Sequence, residues 1–420
     1  MNQLFLGVLS GTLLAISACN SQTNNSASAD RSTPETTADT TGAPVETKEP
    51  NTSYKPAFEG QTRIGSVKTK TPYEISVLAT GLQSPWGMAQ LPDGRWLITE
   101  KPGTFRIATL EGQLSEPIKG APAVNFKGQG GLLGVTLDPN FATNRMVYWV
   151  FAEPQGADGS VTAVAKGKLA DDDSKIENAR VIYRATPASN KGNNHYGGRI
   201  LFDKTGALII STGERSDKST RPQSQDLKSG LGKLIRITTD GQPAPGNPFE
   251  NDANAPRKEF YSYGHRNVQS LAFHPETGDL WEAEFGPRGG DELNLIRPGK
   301  NYGWPVITYG IEYSGEQIGD ALTQKEGMEQ PVYYWDPTLS PSGMTFYSGD
   351  AIPEWKNNLF IGGLSGMHIA RLVIKDNKVV GEERIGEDQK DRFRDVQEGK
   401  DGALYAVSDN GKLYRIAAKK

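Results

Sequence analysis

The amino-acid sequence predicts an all-β chain folded as a six-bladed β-propeller, and three observations lead there. A two-strand pattern recurs six times between residues 71 and 420. The composition is that of a turn-rich β chain, with 48 glycines in 420 residues and 36 aromatics (7 Trp + 15 Tyr + 14 Phe). No segment carries a long apolar stripe at the helical period of 3.6 residues.

The N-terminal elements come first. Residues 1–18 read as a lipoprotein-type signal peptide. Leu4 to Ile16 is a short apolar run, and Ile16-Ser17-Ala18 leads into Cys19, the only cysteine. The n-region Met1-Asn2-Gln3 departs from the usual pattern by lacking Lys and Arg. A single cysteine excludes an internal disulfide and would instead carry lipid. Asn20, not Asp, follows it, and the resemblance to Gram-negative lipoproteins implies the periplasmic side of the outer membrane, anchored through Cys19. Residues 19–70 read as a disordered low-complexity tether, because Ser, Thr, Asn, Ala, Pro and acids offer too little apolar surface to offset ordering entropy. Asn51-Thr52-Ser53 is a formal sequon, read as chance.

Residues 71–420 read as the propeller domain. Each copy has a small or polar start, an apolar strand, a turn and a second apolar strand. The second strands are Trp96–Thr99, Met146–Phe151, Ala207–Ser211, Asp279–Ala283, Asn358–Gly362 and Ala403–Val407. The starts Gly87, Gly134, Gly198, Ser270, Gly343 and Asp395 lie 47, 64, 72, 73 and 52 residues apart. Four-stranded blades with loop insertions fit these spacings, and such blades surround a central channel where ligands sit. A pair of β-sandwiches is the alternative architecture.

Several function classes are disfavoured at once. Lys+Arg is 46 and Asp+Glu 50, a net charge of −4, which argues against nucleic-acid binding. With 36% hydrophobic and 23% charged residues, the chain is not a multi-span membrane protein. The four histidines show no zinc spacing. A nucleophile-elbow serine, a P-loop and a dinucleotide-binding glycine motif are all missing.

The residues that can carry chemistry stand in three places. His195, in Asn193-Asn194-His195-Tyr196-Gly197-Gly198-Arg199 at a strand start, is either a general base facing the channel or a solvated loop histidine. Gly286-Pro287-Arg288-Gly289-Gly290-Asp291-Glu292 offers carbonyls and carboxylates to a hard cation such as calcium, or is an ordinary loop. Arg392 and Arg394 alternate on one strand face, suited to a ligand with several carboxylates or simply solvated. His274 reads as a surface turn residue, and His368 as structural or exposed.

Together these segments resemble the soluble quinoprotein glucose/sorbosone dehydrogenase family, nearest its aldose sugar dehydrogenase branch. The resemblance rests on Gly128-Gln129-Gly130-Gly131, Asn194–Arg199, Tyr263-Gly264-His265-Arg266-Asn267, Gly286–Ile296, Asn301-Tyr302-Gly303-Trp304-Pro305 and Arg392–Val396. It spans about Tyr73 to Ile416 and implies a six-bladed propeller that oxidises aldoses with pyrroloquinoline quinone (PQQ) and calcium. By that resemblance His195 is the base, Glu214 orients it, and Arg266 polarises the quinone. Gln129, Asn267, Arg392 and Arg394 would contact cofactor or substrate. The Gly286 and Pro287 carbonyls would hold the cofactor's calcium, and Glu292 with the Tyr302 carbonyl a structural one. By the same resemblance, Ser365 stands where well-known members have a lysine touching the cofactor. Gln129, Tyr334, Trp335 and Trp304 could form a sugar platform or belong to blade cores. The electron acceptor would be a quinone or a small cytochrome. Two other readings stay open: a calcium-dependent lactonase-type hydrolase, and a non-catalytic saccharide-binding propeller.

Overall fold

The structure is a computed structural model that describes residues 42–157 and 159–419. The signal peptide, Cys19 and the tether up to residue 41 lie outside the described residues. Among the described residues no helix is long and apolar enough to cross a membrane.

Six antiparallel sheets follow one another along the chain. A first strand, β1 (Tyr73–Thr80), precedes them. Blade 1 holds β2 (Pro85–Gln90), β3 (Trp96–Glu100) and β4 (Thr104–Ala108). Blade 2 holds β5 (Leu132–Leu137), β6 (Met146–Gln155), β7 (Gly159–Leu169) and β8 (Ile176–Arg184). Blade 3 holds β9 (Ile200–Phe202), β10 (Leu208–Ser211), β11 (Lys233–Ile237) and β12 (Phe260–Tyr263). Blade 4 holds β13 (Val268–Phe273), β14 (Leu280–Glu284), β15 (Asp291–Ile296) and β16 (Tyr333–Trp335). Blade 5 holds β17 (Pro341–Phe346), β18 (Leu359–Gly363), β19 (Ile369–Lys375) and β20 (Lys378–Ile385). Blade 6 holds β21 (Phe393–Glu398), β22 (Leu404–Ser408) and β23 (Lys412–Ala418), and β1 pairs with β23 as its outer strand. The N-terminal strand thus closes the ring by hydrogen bonding to the last blade.

All six second strands expected from sequence are β3, β6, β10, β14, β18 and β22. They read as apolar runs because both faces are covered by neighbouring blades. Trp149 of β6, for example, packs edge-on against Phe105 of β4, with centroids 5.4 Å apart.

The small residues at the copy starts have a steric cause. The first strands of adjacent blades converge at the axis, so a Cβ on Gly87 would press on Gly134 and one on Gly134 on the Gly198 carbonyl. Hydroxyls stitch the ring: Thr99 Oγ1 donates to Leu133 O (2.6 Å) and Ser211 Oγ to Val268 O (2.9 Å). The axis is plugged by Arg199, buried, whose Nη1 meets Asp395 Oδ1 at 2.9 Å and whose Nε donates to Gln269 O at 2.9 Å. Its guanidinium lies 4.3 Å from the Trp86 ring centroid. One cation therefore joins blades 1, 4 and 6 to the segment that opens blade 3.

One expectation needs correction. A disordered tether through residue 70 does not describe residues 42–70, which form a strap along blades 4 and 5. Gln61 is fully buried and donates through Nε2 to Pro331 O at 2.9 Å. Val67 N donates to Glu382 O (3.0 Å), and Thr69 Oγ1 to Glu383 Oε2 (2.6 Å). Composition hid this because the strap is mostly polar: hydrogen bonds to the propeller order it, and its apolar anchors are few, with Val67 buried beside Gly381 and Ile64 packed on the core shared by blades 4 and 5.

Candidate active site

His195 sits in the loop ahead of β9, with a positive φ of 47°. Two side chains hold that loop. Gln129 Oε1 accepts from the His195 amide at 2.8 Å. Arg215, fully buried, donates to the carbonyls of Asn194 (3.0 Å), Ser160 (2.9 Å) and Gly192 (2.9 Å). Arg215 also stacks on Tyr196, 3.9 Å from the ring centroid. Gln129, expected at the cofactor, is seen here fixing the His195 backbone.

The imidazole is 5% exposed, with Nδ1 2.5 Å from Glu214 Oε1. A carboxylate accepts, so Nδ1 carries the proton and Nε2 keeps the lone pair. Burial, and then the nearby Arg266 charge, outweigh Glu214 and lower the His195 pKa to about 4. The ring is therefore neutral at pH 7, as a base must be.

Arg266 and Asn267 stand beside this pair, because Glu214 N donates to Arg266 O (3.0 Å) and Gly197 N to Asn267 Oδ1 (3.0 Å). Arg266 Nη1 donates to Phe285 O (2.9 Å) and Gly286 O (2.6 Å). Arg266 Nε and Asn267 Nδ2 are buried donors without a protein acceptor. Each such group costs about 1–3 kcal/mol until something accepts from it. Trp304 lies between two guanidiniums, with Arg221 and Arg266 each 5.1 Å from its ring centroid. Arg221 is in turn paired with Glu312 at 2.6 Å.

Arg392 and Arg394 share a side, as their alternation predicts, and both are claimed by Asp409. Arg392 Nε meets Asp409 Oδ2 at 2.8 Å, and Arg394 Nε meets Oδ1 at 2.9 Å. Arg394 Nη1 donates to Gln269 Oε1 (3.0 Å), next to the axial Arg199 contact. Lys101 adds a further cation. Its Nζ donates to Gly128 O (2.9 Å), and burial, then Arg394, lower its pKa.

The metal candidates fall in two places. The Gly286 carbonyl borders the site but accepts from Arg266, while Gly286 N donates to Asp291 Oδ1 at 2.7 Å. Glu292 lies deeper. In the β14–β15 register Glu284 opposes Glu292 and Glu282 opposes Asn294, so all four face one side. His265 completes the group: ligand atoms of His265, Glu282 and Glu284 lie within 4.8 Å of one another. Burial, then Glu284, raise the Glu282 pKa to about 7, and Glu292 is also raised, by burial and then Glu284. Burial opposes charging His265, but its bonds to Glu282 and Glu284 prevail and lift it to about 9. The Tyr302 ring stacks on His265, with centroids 4.9 Å apart. Glu284 ties this cluster to the site, since its Oε2 accepts from the amides of Arg266 and Asn267.

Sequence reasoning missed Arg215, Asp409, Glu282 and Glu284. Arg215 follows Glu214 directly, but nothing local says that it reaches back to hold the histidine loop. Tyr334 and Trp335 are not a sugar platform: both are buried in blade 4, Tyr334 stacks on Tyr309 at 4.1 Å, and Trp335 Nε1 donates to Glu382. Of that set, Gln129 and Trp304 stand at the site. His274 is buried against Phe346, not a surface residue, and His368 is buried as well. Ser365 Oγ donates to Thr338 O (3.0 Å) and contacts Ser340 Oγ (2.8 Å).

Residues 82–415 match the sequence model of the glucose/sorbosone dehydrogenase family. The chain belongs to that family. The aldose sugar dehydrogenase YliI of Escherichia coli is 43% identical over 350 residues, covering 82% of this chain and 93% of its own. The crystal structure of the soluble E. coli aldose sugar dehydrogenase in its apo form superposes with a TM-score of 0.78 at 41% identity, covering 83% of this chain and all of that one. A PQQ-bound aldose sugar dehydrogenase from Streptomyces coelicolor superposes with a TM-score of 0.68 at 31% identity, covering 83% and 99%.

Proposed function

We propose that this glucose/sorbosone dehydrogenase family member oxidises aldoses at C1 to the lactone with PQQ as oxidant. The observation that carries the reading is the buried His195–Glu214 pair, 2.5 Å apart, beside Arg266 and Asn267 donors that lack acceptors. Two unmatched donors, with Arg392, Arg394 and Lys101 nearby, suit a ligand rich in carbonyl and carboxylate oxygens, which PQQ is.

When bound, PQQ supplies the acceptor for the sugar's C1 hydride. The chain's own residues do the rest. His195 Nε2 takes the anomeric hydroxyl proton as the C1–O bond becomes a carbonyl. Glu214 holds the ring and stabilises the imidazolium that forms. Arg266 and Asn267 aim donors at oxygens where negative charge grows, and Arg392 and Arg394, preorganised by Asp409, bind carboxylates.

Calcium enters the reading at two places. The Glu282, Glu284, Glu292 and Asn294 set suits a hard cation, because two buried carboxyl groups and the half-buried Glu292 face only one histidine cation, and Glu282 Oε2 and Asn294 Oδ1 lack partners. The Gly286 carbonyl fits less readily, because Arg266 already donates to it. Sugar oxidation assayed with an artificial dye on the purified protein tests the proposal. Turnover that needs both PQQ and calcium is expected, and turnover without PQQ would refute it.

Ser365 leaves the site one cation short of the family pattern. A charge-assisted bond is worth about 1.5–3 kcal/mol, so Ser365→Lys should tighten PQQ binding about tenfold or more. Equal affinities in a titration followed by absorbance would show that Lys101 or the arginine pair already suffices.

The lipid anchor through Cys19, and a place on the periplasmic face of the outer membrane, belong to the same proposal. They are supported by the apolar run ending at Ala18-Cys19. Incorporation of labelled palmitate that persists in Cys19→Ala would refute the anchor. The electron acceptor is proposed as a quinone or small cytochrome.

A further inference from the structure

The strap reaches the active-site loop mainly through the Asp336 carboxylate. Asp336, next to the outer strand β16, is 4% exposed. It accepts four hydrogen bonds from the strap. Asn51 N (2.8 Å) and Nδ2 (3.0 Å) reach Oδ1, and Thr52 N (3.0 Å) and Oγ1 (2.9 Å) reach Oδ2. Asp336 O also accepts from Arg63 Nη2 at 2.7 Å. The tripeptide Asn51-Thr52-Ser53, a chance sequon by sequence, thus acts as a carboxylate clamp.

The clamped Asp336 lies against the loop Phe285–Gly290. Gly289 has φ +84°, and a Cβ there would press on the Asp336 carboxylate, which would have to move. Gly290 N donates to Trp335 O (2.9 Å), and Arg288 exchanges backbone bonds with Ile311 (2.9 and 3.1 Å). Arg288 Nε donates to Asn51 Oδ1 at 3.3 Å. At its other end the loop presents the Phe285 and Gly286 carbonyls to Arg266. A chain of contacts therefore runs from the strap through Asp336 and the loop to Arg266.

We infer that Asn51 and Thr52 are positioning residues for the Phe285–Gly290 loop and, through its carbonyls, for Arg266. Without their donors Asp336 is a buried carboxylate short of partners, and the wall that Gly289 rests on loosens. The consequence for catalysis rests on the sugar-oxidation reading. The consequence for the loop does not.

The test uses the full chain and three variants. Asn51→Ala with Thr52→Val removes the side-chain clamp. Thr52→Ser keeps the hydroxyl. Thr69→Val breaks a strap anchor on blade 5, where Thr69 meets Glu383 and Trp355. Hydrogen exchange of residues 285–290 in the cofactor-free protein should rise about tenfold in the double variant. Thr52→Ser and Thr69→Val should leave it unchanged. PQQ affinity and kcat should fall in the double variant alone, with the sugar KM unchanged. Unaltered exchange in the double variant, or an equal rise in Thr69→Val, overturns the inference. A wild-type protein that binds no PQQ overturns the functional reading instead, and the exchange comparison still decides the role of the strap.

Discussion

His195→Ala is expected to lower kcat for sugar oxidation by about 10²–10⁴-fold, the usual worth of a positioned general base. PQQ binding should survive, because the arginine pair and Arg266 are untouched. A variant that binds PQQ and turns over at the wild-type rate would remove His195 from the mechanism. The pH profile gives an independent check. Burial and Arg266 hold the His195 pKa at about 4, below the ordinary 6.5. The base is active when neutral, so kcat/KM should stay level as pH falls through 6.5 and drop only near pH 4. Glu214 is the group that pulls this pKa up, so Glu214→Gln should move the acid limb lower still. A wild-type limb near 6.5 would mean that the imidazole is solvated.

Asp395→Asn is expected to cost about 3–5 kcal/mol of stability, the range for breaking a buried ion pair from one side. Arg199 would be left charged at the axis, facing Trp86 and the Gln269 carbonyl. Met88 N would also lose the charged acceptor that it meets at 2.9 Å. The change is nearly isosteric, which matters because Gly343 packs directly on this side chain. Denaturant unfolding checks the size. Adding Arg199→Met should recover much of the loss, since an absent buried pair costs less than a broken one. A loss below 1 kcal/mol for Asp395→Asn would show that water enters the axis and screens the pair.

How much of this was legible in the sequence depends on the range of the interaction. The six hairpins were legible because each is local: a turn between two apolar runs is set by residues a few positions apart. The closure of the ring by β1 was not, because its partner β23 lies more than 300 residues away and the pairing is made by backbone groups that any sequence has. The Arg392–Arg394 alternation could be read, while Asp409, which preorganises both, sits in a turn after the next strand. The acidic cluster escaped for a similar reason. Glu282 and Glu284 look like an ordinary strand rim until the β14–β15 register sets them opposite Asn294 and Glu292.

What the sequence by itself determined is the repeat, the turn positions, the small residues of the inner strands and the order of the family motifs. All are properties of short segments, or of a pattern copied six times. Only the tertiary structure decided which charges meet. His195 is made neutral by burial and by an arginine 71 positions on, Arg199 finds its carboxylate across the axis, and a largely polar strap is ordered by Asp336 and Glu383. Electrostatic energies depend on distance and burial in space, and neither quantity exists along the chain until the blades close into a ring.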